Sequence, residues 1–116
     1  MYMTELETPA VLLDLDIAER NLQTYQQACS KYKKSLWPMV KTHKSSYLLK
    51  KQMELGAEGF LCGTVDECEM AVEAGAGKIM YAYPPANPKN ISRLAALAHQ
   101  ADIIIRIDHL DVAHML

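Results

Sequence analysis

Lys41 lies in Leu36-Trp37-Pro38-Met39-Val40-Lys41-Thr42-His43-Lys44-Ser45, where a short apolar run gives way to a helix-like segment. In βα folds the C-terminal end of a strand faces the active site. A lysine there is costly to desolvate unless its charge is lost or used. Desolvation is also a usual way to make an amine nucleophilic near neutral pH. The chemistry this position suggests is Schiff-base formation with a carbonyl compound. The plain alternative is a solvated lysine in a basic stretch, and position alone leaves both open.

Other residues carry weaker signals. If strand geometry continues past Lys41, His43 lies on the same side and contacts Lys41 or a bound group. A structural histidine fits equally well. Lys44 either attracts an anion or is solvated. Thr64 stands where a strand ends and a helix starts, so its hydroxyl is a cap or a ligand. Tyr81 and Tyr83 alternate at another strand end, and either one lines a pocket or packs in the core. Arg106 interrupts an apolar strand, and a buried arginine needs an acid or an anion, for which Asp108 is at hand. His109 and His114 are five residues apart and do not share a helix face, so no metal site is expected from them.

Composition narrows the classes. The 116 residues are half apolar, enough for one small domain with a core. Net charge is −2, which implies no strong field for nucleic acid or membrane. Seven lysines and no acid fall between Lys31 and Lys51. Without interleaved aromatic residues, that stretch reads as a solvated face beside an anionic ligand rather than a nucleic-acid surface. Cys29, Cys62 and Cys68 fit no zinc spacing and read as buried thiols in a reducing compartment. With no secretory signal or membrane-spanning run in the chain, a cytoplasmic location is expected.

The elements that must position these residues follow from periodicity. Residues 9–15 read as a strand. Ala18, Leu22, Tyr25, Cys29 and Tyr32 mark one buried stripe of a helix capped by Asp16. Four further strands are expected at 36–40, 59–62, 79–83 and 103–107, the last buried on both faces. Between them lie helices opened by Ser45 or Ser46, by the capping box Thr64-Val65-Asp66-Glu67, and by Asn87-Pro88. Gly56 and Gly75 close two of them. Asp108 with Asp111 starts a last helix. Strict alternation implies parallel strands in an α/β fold. A closed barrel of this type needs eight strands and typically ~250 residues. The expectation is therefore one incomplete domain over 1–116: a strand in 1–16 toward a second, missing β domain, then a half barrel over 17–116.

The order of several short motifs is more specific. Thr8-Pro9-Ala10-Val11-Leu12-Leu13-Asp14-Leu15-Asp16 is followed by Asn21-Leu22, then Pro38-Met39-Val40-Lys41-Thr42-His43-Lys44-Ser45. Gly56-Ala57-Glu58-Gly59-Phe60, Cys62-Gly63-Thr64-Val65-Asp66-Glu67 and Ala74-Gly75 come next. In order and spacing, over nearly the whole chain, this resembles the start of the D-threonine aldolase and D-serine dehydratase family. That family is similar to the alanine racemase N-terminal domain, a pyridoxal-phosphate barrel. Within the lysine segment, Trp37 replaces the family's arginine and Met39 its first histidine, which removes two polar groups near the cofactor.

The resemblance implies that Lys41 is the Schiff-base lysine, with Lys41, His43 and Thr64 as the cofactor-binding set. It implies cleavage or dehydration of D-amino acids bearing a β-hydroxyl group, of the D-threonine and D-serine type. The family's divalent-metal ligands and phosphate-holding loops fall outside this chain. The chain is expected to be an N-terminal fragment, weakly active or inactive by itself. The alternatives are a non-catalytic half-barrel module that oligomerises and an amino-acid racemase, which would need a second base. The uncovered strand edges lead to the expectation of a homo-oligomer.

Overall fold

The computed structural model describes residues 2–116. Three parallel strands form one sheet in the order β1 (Phe60–Cys62), β2 (Lys78–Tyr81), β3 (Asp102–Ile105). Phe60 pairs with Ile79 and Cys62 with Tyr81, and Ile79 pairs with Ile103 and Tyr81 with Ile105. The helices α1 (Leu15–Lys31), α2 (Ser46–Glu54), α3 (Val65–Glu73), α4 (Pro88–Leu97) and α5 (Leu110–Met115) alternate with the strands from β1 onward.

The expected fourth barrel strand is present as an extended segment without a ladder. Residues 36–40 make one parallel bridge, Met39 to Leu61, and two flanking bonds, Glu58 N–H to Leu36 O and Leu61 N–H to Pro38 O. Pro38 has no N–H to donate, which limits further pairing. The expected strand over 9–15 is corrected. Residues 9–14 carry no regular structure, and Leu15 already begins α1. Among the described residues no neighbouring strand lies beside this segment, and an unpaired strand has no ladder to hold it.

Local signals place most helix ends. Ser45 Oγ accepts from Leu48 N–H, Thr64 Oγ1 from Glu67 N–H and Asn87 Oδ1 from Lys89 N–H. Gly56 and Gly75 take φ of 102° just past α2 and α3, a conformation that costs glycine least. Two caps differ from expectation. Asp14, not Asp16, caps α1 by accepting from Ile17 N–H at 3.0 Å. His109, not Asp108, caps α5 by accepting from Asp111 N–H.

The core lies between the sheet and its helices: Val40, Leu49, Phe60, Cys62, Cys68, Ile79 and Leu94 are fully or almost fully buried. Arg93 of α4 ties that helix to α3, donating to both Glu69 oxygens at 2.7 and 2.6 Å and to Asp66. The Arg93 guanidinium holds the Glu69 carboxyl below the usual range. Two expected burials fail. No residue of α1 is buried, and Tyr25 in its apolar stripe is 69 % exposed. Ala18, Leu22 and Cys29 of the stripe are partly buried, and two polar contacts add to them, Lys51 with Glu19 and Gln26 with the Gly56 carbonyl. Nor is β3 buried on both faces, because Ile104 is 43 % exposed while Ile103 and Ile105 pack on the core. A strand is covered on both sides only where layers lie on both sides. Among the described residues, no helix is long and apolar enough to cross a membrane.

Candidate functional site

Parallel strands bring their C-terminal ends to one edge of the sheet. At that edge stand Lys41 after Val40, Gly63 after β1, Tyr83 just beyond β2 and Arg106 after β3. Hydrogen bonds stitch the edge together. Ala82 N–H donates to Cys62 O at 2.8 Å, and Arg106 Nη1 donates to Ala82 O at 3.2 Å.

Gly63 is the centre of this group. A Cβ placed on it would lie 3.5 Å from Glu67 Oε2, 3.6 Å from Tyr83 Cε2 and 3.9 Å from Lys41 Cβ. Lys41 is exposed, not desolvated as its position suggested. The reason is local: Val40–Thr42 form a short 3-10 turn that carries Lys41 out of the sheet plane, while Val40 takes the buried place. Tyr83 is half exposed beside Gly63, whereas Tyr81 is a core residue whose phenol is pushed up by burial.

The same turn corrects the expectation for His43. The two-residue alternation of a strand stops at Val40, so it no longer places His43 on the side of Lys41. His43 Nδ1 instead accepts from Ser45 N–H at 3.1 Å, a structural role at the entry to α2. Its Nε2 is buried without a partner. Gln52 faces the ring and favours its charged form, but short of hydrogen-bond geometry, since Gln52 Oε1 is also unpaired.

Burial dominates and holds the His43 imidazole below the ordinary histidine range, with Gln52 and Glu67 opposing. The unfolded chain therefore binds this proton at higher pH than the folded one. Stability from this group should be complete above the ordinary histidine pKa of about 6.5 and should fall as pH drops through the lower folded value. Urea unfolding at a series of pH values should show that slope, and His43→Asn should flatten it. An unchanged slope in the variant would rule out His43 as its source.

Thr64 is exposed, and its hydroxyl is occupied as the cap of α3, accepting from Glu67 N–H at 3.2 Å. Lys44 is exposed yet lies 3.6 Å from the Glu67 carboxyl. Arg106 is exposed rather than buried, and among the described residues its partner is a backbone carbonyl, not an acid. Glu67 is the residue that sequence reasoning missed as part of the site. It was visible only as the fourth member of a capping box, yet it is 4 % exposed and its Oε2 accepts from Gly63 N–H at 2.7 Å.

Trp37 and Met39 do not line this edge. The Trp37 ring packs on Gly59, at the opposite end of β1, four residues and roughly 13 Å of strand from Gly63. Met39 lines a cavity of about 530 Å³ between α1, the 36–42 segment and α2, together with Leu22, Tyr25, Leu36 and Gln52. That cavity is mostly apolar. Cys62 and Cys68 are buried as expected, whereas Cys29 is only partly buried. The neighbouring Cys68 and burial push the Cys62 thiol up, so it stays protonated. Among the described residues, no group of three or more His, Cys, Asp or Glu side chains stands together as a metal site.

Comparisons with known proteins show the family of the chain. Residues 13–116 match the family model described as alanine racemase, N-terminal domain. The chain is 31 % identical over 107 residues to a D-threonine aldolase of Arthrobacter sp., covering 92 % of this chain and 28 % of that protein. It is 32 % identical over 111 residues to the D-threo-3-hydroxyaspartate dehydratase of Delftia sp. (strain HT23), covering 96 % of this chain and 29 % of that one. The crystal structure of D-threonine aldolase from Filomicrobium marinum superimposes with a TM-score of 0.93 at 33 % identity, over 98 % of this chain and 31 % of that one. The chain thus spans less than a third of the length of these relatives.

Proposed function

Because the chain belongs to the alanine racemase N-terminal domain family, we propose that it is the lysine-bearing part of a pyridoxal-phosphate-dependent lyase. Its substrates are D-amino acids with a β-hydroxyl group, of the D-threonine and D-serine type. The reaction is retro-aldol cleavage or dehydration. The observation that carries this reading is the exposed Lys41 at the C-terminal edge of a parallel sheet, beside Gly63 and Tyr83.

The residues present fit the reactive end of the cofactor. Lys41 is exposed, and the absence of a side chain on Gly63 keeps the backbone close to it, with a Cβ there 3.9 Å from Lys41 Cβ. When bound, pyridoxal phosphate supplies an electron sink for charge that develops at the substrate α-carbon. Lys41 would hold the group through its Nζ, and the same amine is placed to accept or return a proton. Tyr83 borders Gly63 with its ring. His43 and Thr64 belong to this reading as supports of the turns that flank Lys41 and Gly63, through their bonds to Ser45 N–H and Glu67 N–H.

One observation favours a second reading, a non-catalytic module that associates with copies of itself. Two backbone donors near the start of α3, a natural place for a phosphate, are already occupied: Gly63 N–H by Glu67 and Glu67 N–H by Thr64. Exposed Tyr25 and Ile104 offer apolar surface for association.

Reductive trapping separates the two. Treated with pyridoxal phosphate and borohydride, then digested and mapped, the chain should carry its label chiefly on Lys41. Label spread evenly over Lys31, Lys33, Lys50 and Lys51 would refute the lysine assignment.

A further inference from the structure

Glu67 is buried and charged, and its two oxygens serve different segments. Oε2 accepts from Gly63 N–H at 2.7 Å, at the end of β1. Oε1 lies 3.6 Å from Lys44 Nζ. Lys44 in turn closes the structure that carries Lys41, since its N–H donates to Val40 O at 2.9 Å. Its φ is 46°, a left-handed conformation uncommon outside glycine, and such residues concentrate where surrounding structure holds them. A glutamate acting purely as the reciprocal half of a capping box would accept from the N-cap amide, here Thr64 N–H. Glu67 reaches one residue further back and holds a lysine from another segment.

We infer that Glu67 is a positioning residue: by gripping Lys44 and the Gly63 amide together, it fixes the 40–44 turn against the end of β1 and so sets where the Lys41 amine stands. The inference rests on Lys41 being the cofactor lysine. The Lys44 side chain is the link, and its charge is what Glu67 uses. Glu67 also faces His43, the other ionisable group of the segment, and favours its charged form.

The test uses the whole chain and the trapping reaction, with melting temperature recorded alongside. Glu67→Gln keeps the shape and an acceptor for Gly63 N–H but loses the charge. Lys44→Met removes the partner at an exposed position and keeps the fold testable should the Gln variant unfold. Each should lower the share of label on Lys41 by about fivefold, the scale of one modest ion pair. The double variant should show no further fall, as expected for two residues acting through one contact. Lys44→Arg should restore selectivity. A selective wild type with equally selective variants overturns the inference and leaves Glu67 a helix cap. Loss in Glu67→Gln without loss in Lys44→Met overturns it too. Even labelling of the wild type fails at the earlier step: it removes the Lys41 assignment, and the inference with it.

Discussion

Assayed alone with pyridoxal phosphate and a divalent metal, the 116-residue chain should cleave D-threonine or dehydrate D-serine orders of magnitude below ordinary enzymatic rates. Lys41→Ala should remove whatever activity remains. The argument concerns positioning. On the proposed reading Lys41 would hold the cofactor by one bond, but the nearest helix N-terminus has its Gly63 and Glu67 amides occupied by the chain's own side chains. Arg106, a cation at the same edge, donates to the Ala82 carbonyl. A cofactor tethered through one bond and no anchored phosphate is free to reorient. Correct orientation of reacting groups is worth about 7–11 kcal/mol in favourable cases, which is roughly five to eight decades in rate. Lys41-dependent turnover at ordinary rates would contradict this. It would mean that copies of the chain rebuild a complete site between them, and sedimentation across a concentration series would then show the assembly.

The largest effect on stability should come from Gly59→Ala. A Cβ at this buried position would lie 2.5 and 2.7 Å from two Trp37 ring carbons and 2.8 Å from the Lys78 carbonyl oxygen. The Trp37 ring is rigid, and the carbonyl belongs to β2, whose strand pairs on both sides. Neither gives way cheaply. Overpacking of this kind costs about 3 kcal/mol, the upper end of the usual range. In a chain of this size that lowers Tm by roughly 10 °C or more. Gly77→Ala is the control, because a Cβ there meets nothing within 4 Å. Equal melting temperatures for wild type and Gly59→Ala would show that the sheet shifts freely at this point. Trp37→Leu in the Gly59→Ala background should recover part of the loss if the ring is the main obstacle.

The contact with Gly59 shows what became of Trp37. In the sequence it stood as a changed residue in the lysine segment, four positions before Lys41. In the fold its ring lies at the far end of β1 from Gly63. Along an extended chain each residue adds about 3.3 Å, so four positions carry Trp37 roughly 13 Å from Lys41. Closeness in sequence therefore said little about closeness to the site.

Elements set by local chemistry were legible in the sequence. Ser45, Thr64 and Asn87 cap their helices because an oxygen two or three residues before a free amide finds it without help from the rest of the fold. Gly56 and Gly75 end helices because glycine has no Cβ to oppose a positive φ. The alternation of strands and helices required a parallel sheet, and a parallel sheet carries the residues after its strands to one edge, Lys41 and Gly63 among them.

What only the tertiary structure decided were burial and partnership. The stripe on α1 and the three isoleucines of β3 have the apolar pattern of buried elements, but burial also needs a covering layer, and the pattern does not say whether one is there. Lys41 was placed by its position at a strand end, yet its exposure was decided by a three-residue turn that a propensity cannot foresee. Glu67 read as a helix cap because capping is local. Its grip on Gly63 and Lys44 joins groups up to 23 residues apart in the chain. Such a contact exists only once the β1–α3 loop and the Lys41 turn have packed together, and a carboxylate so buried is tolerable only with those partners in place.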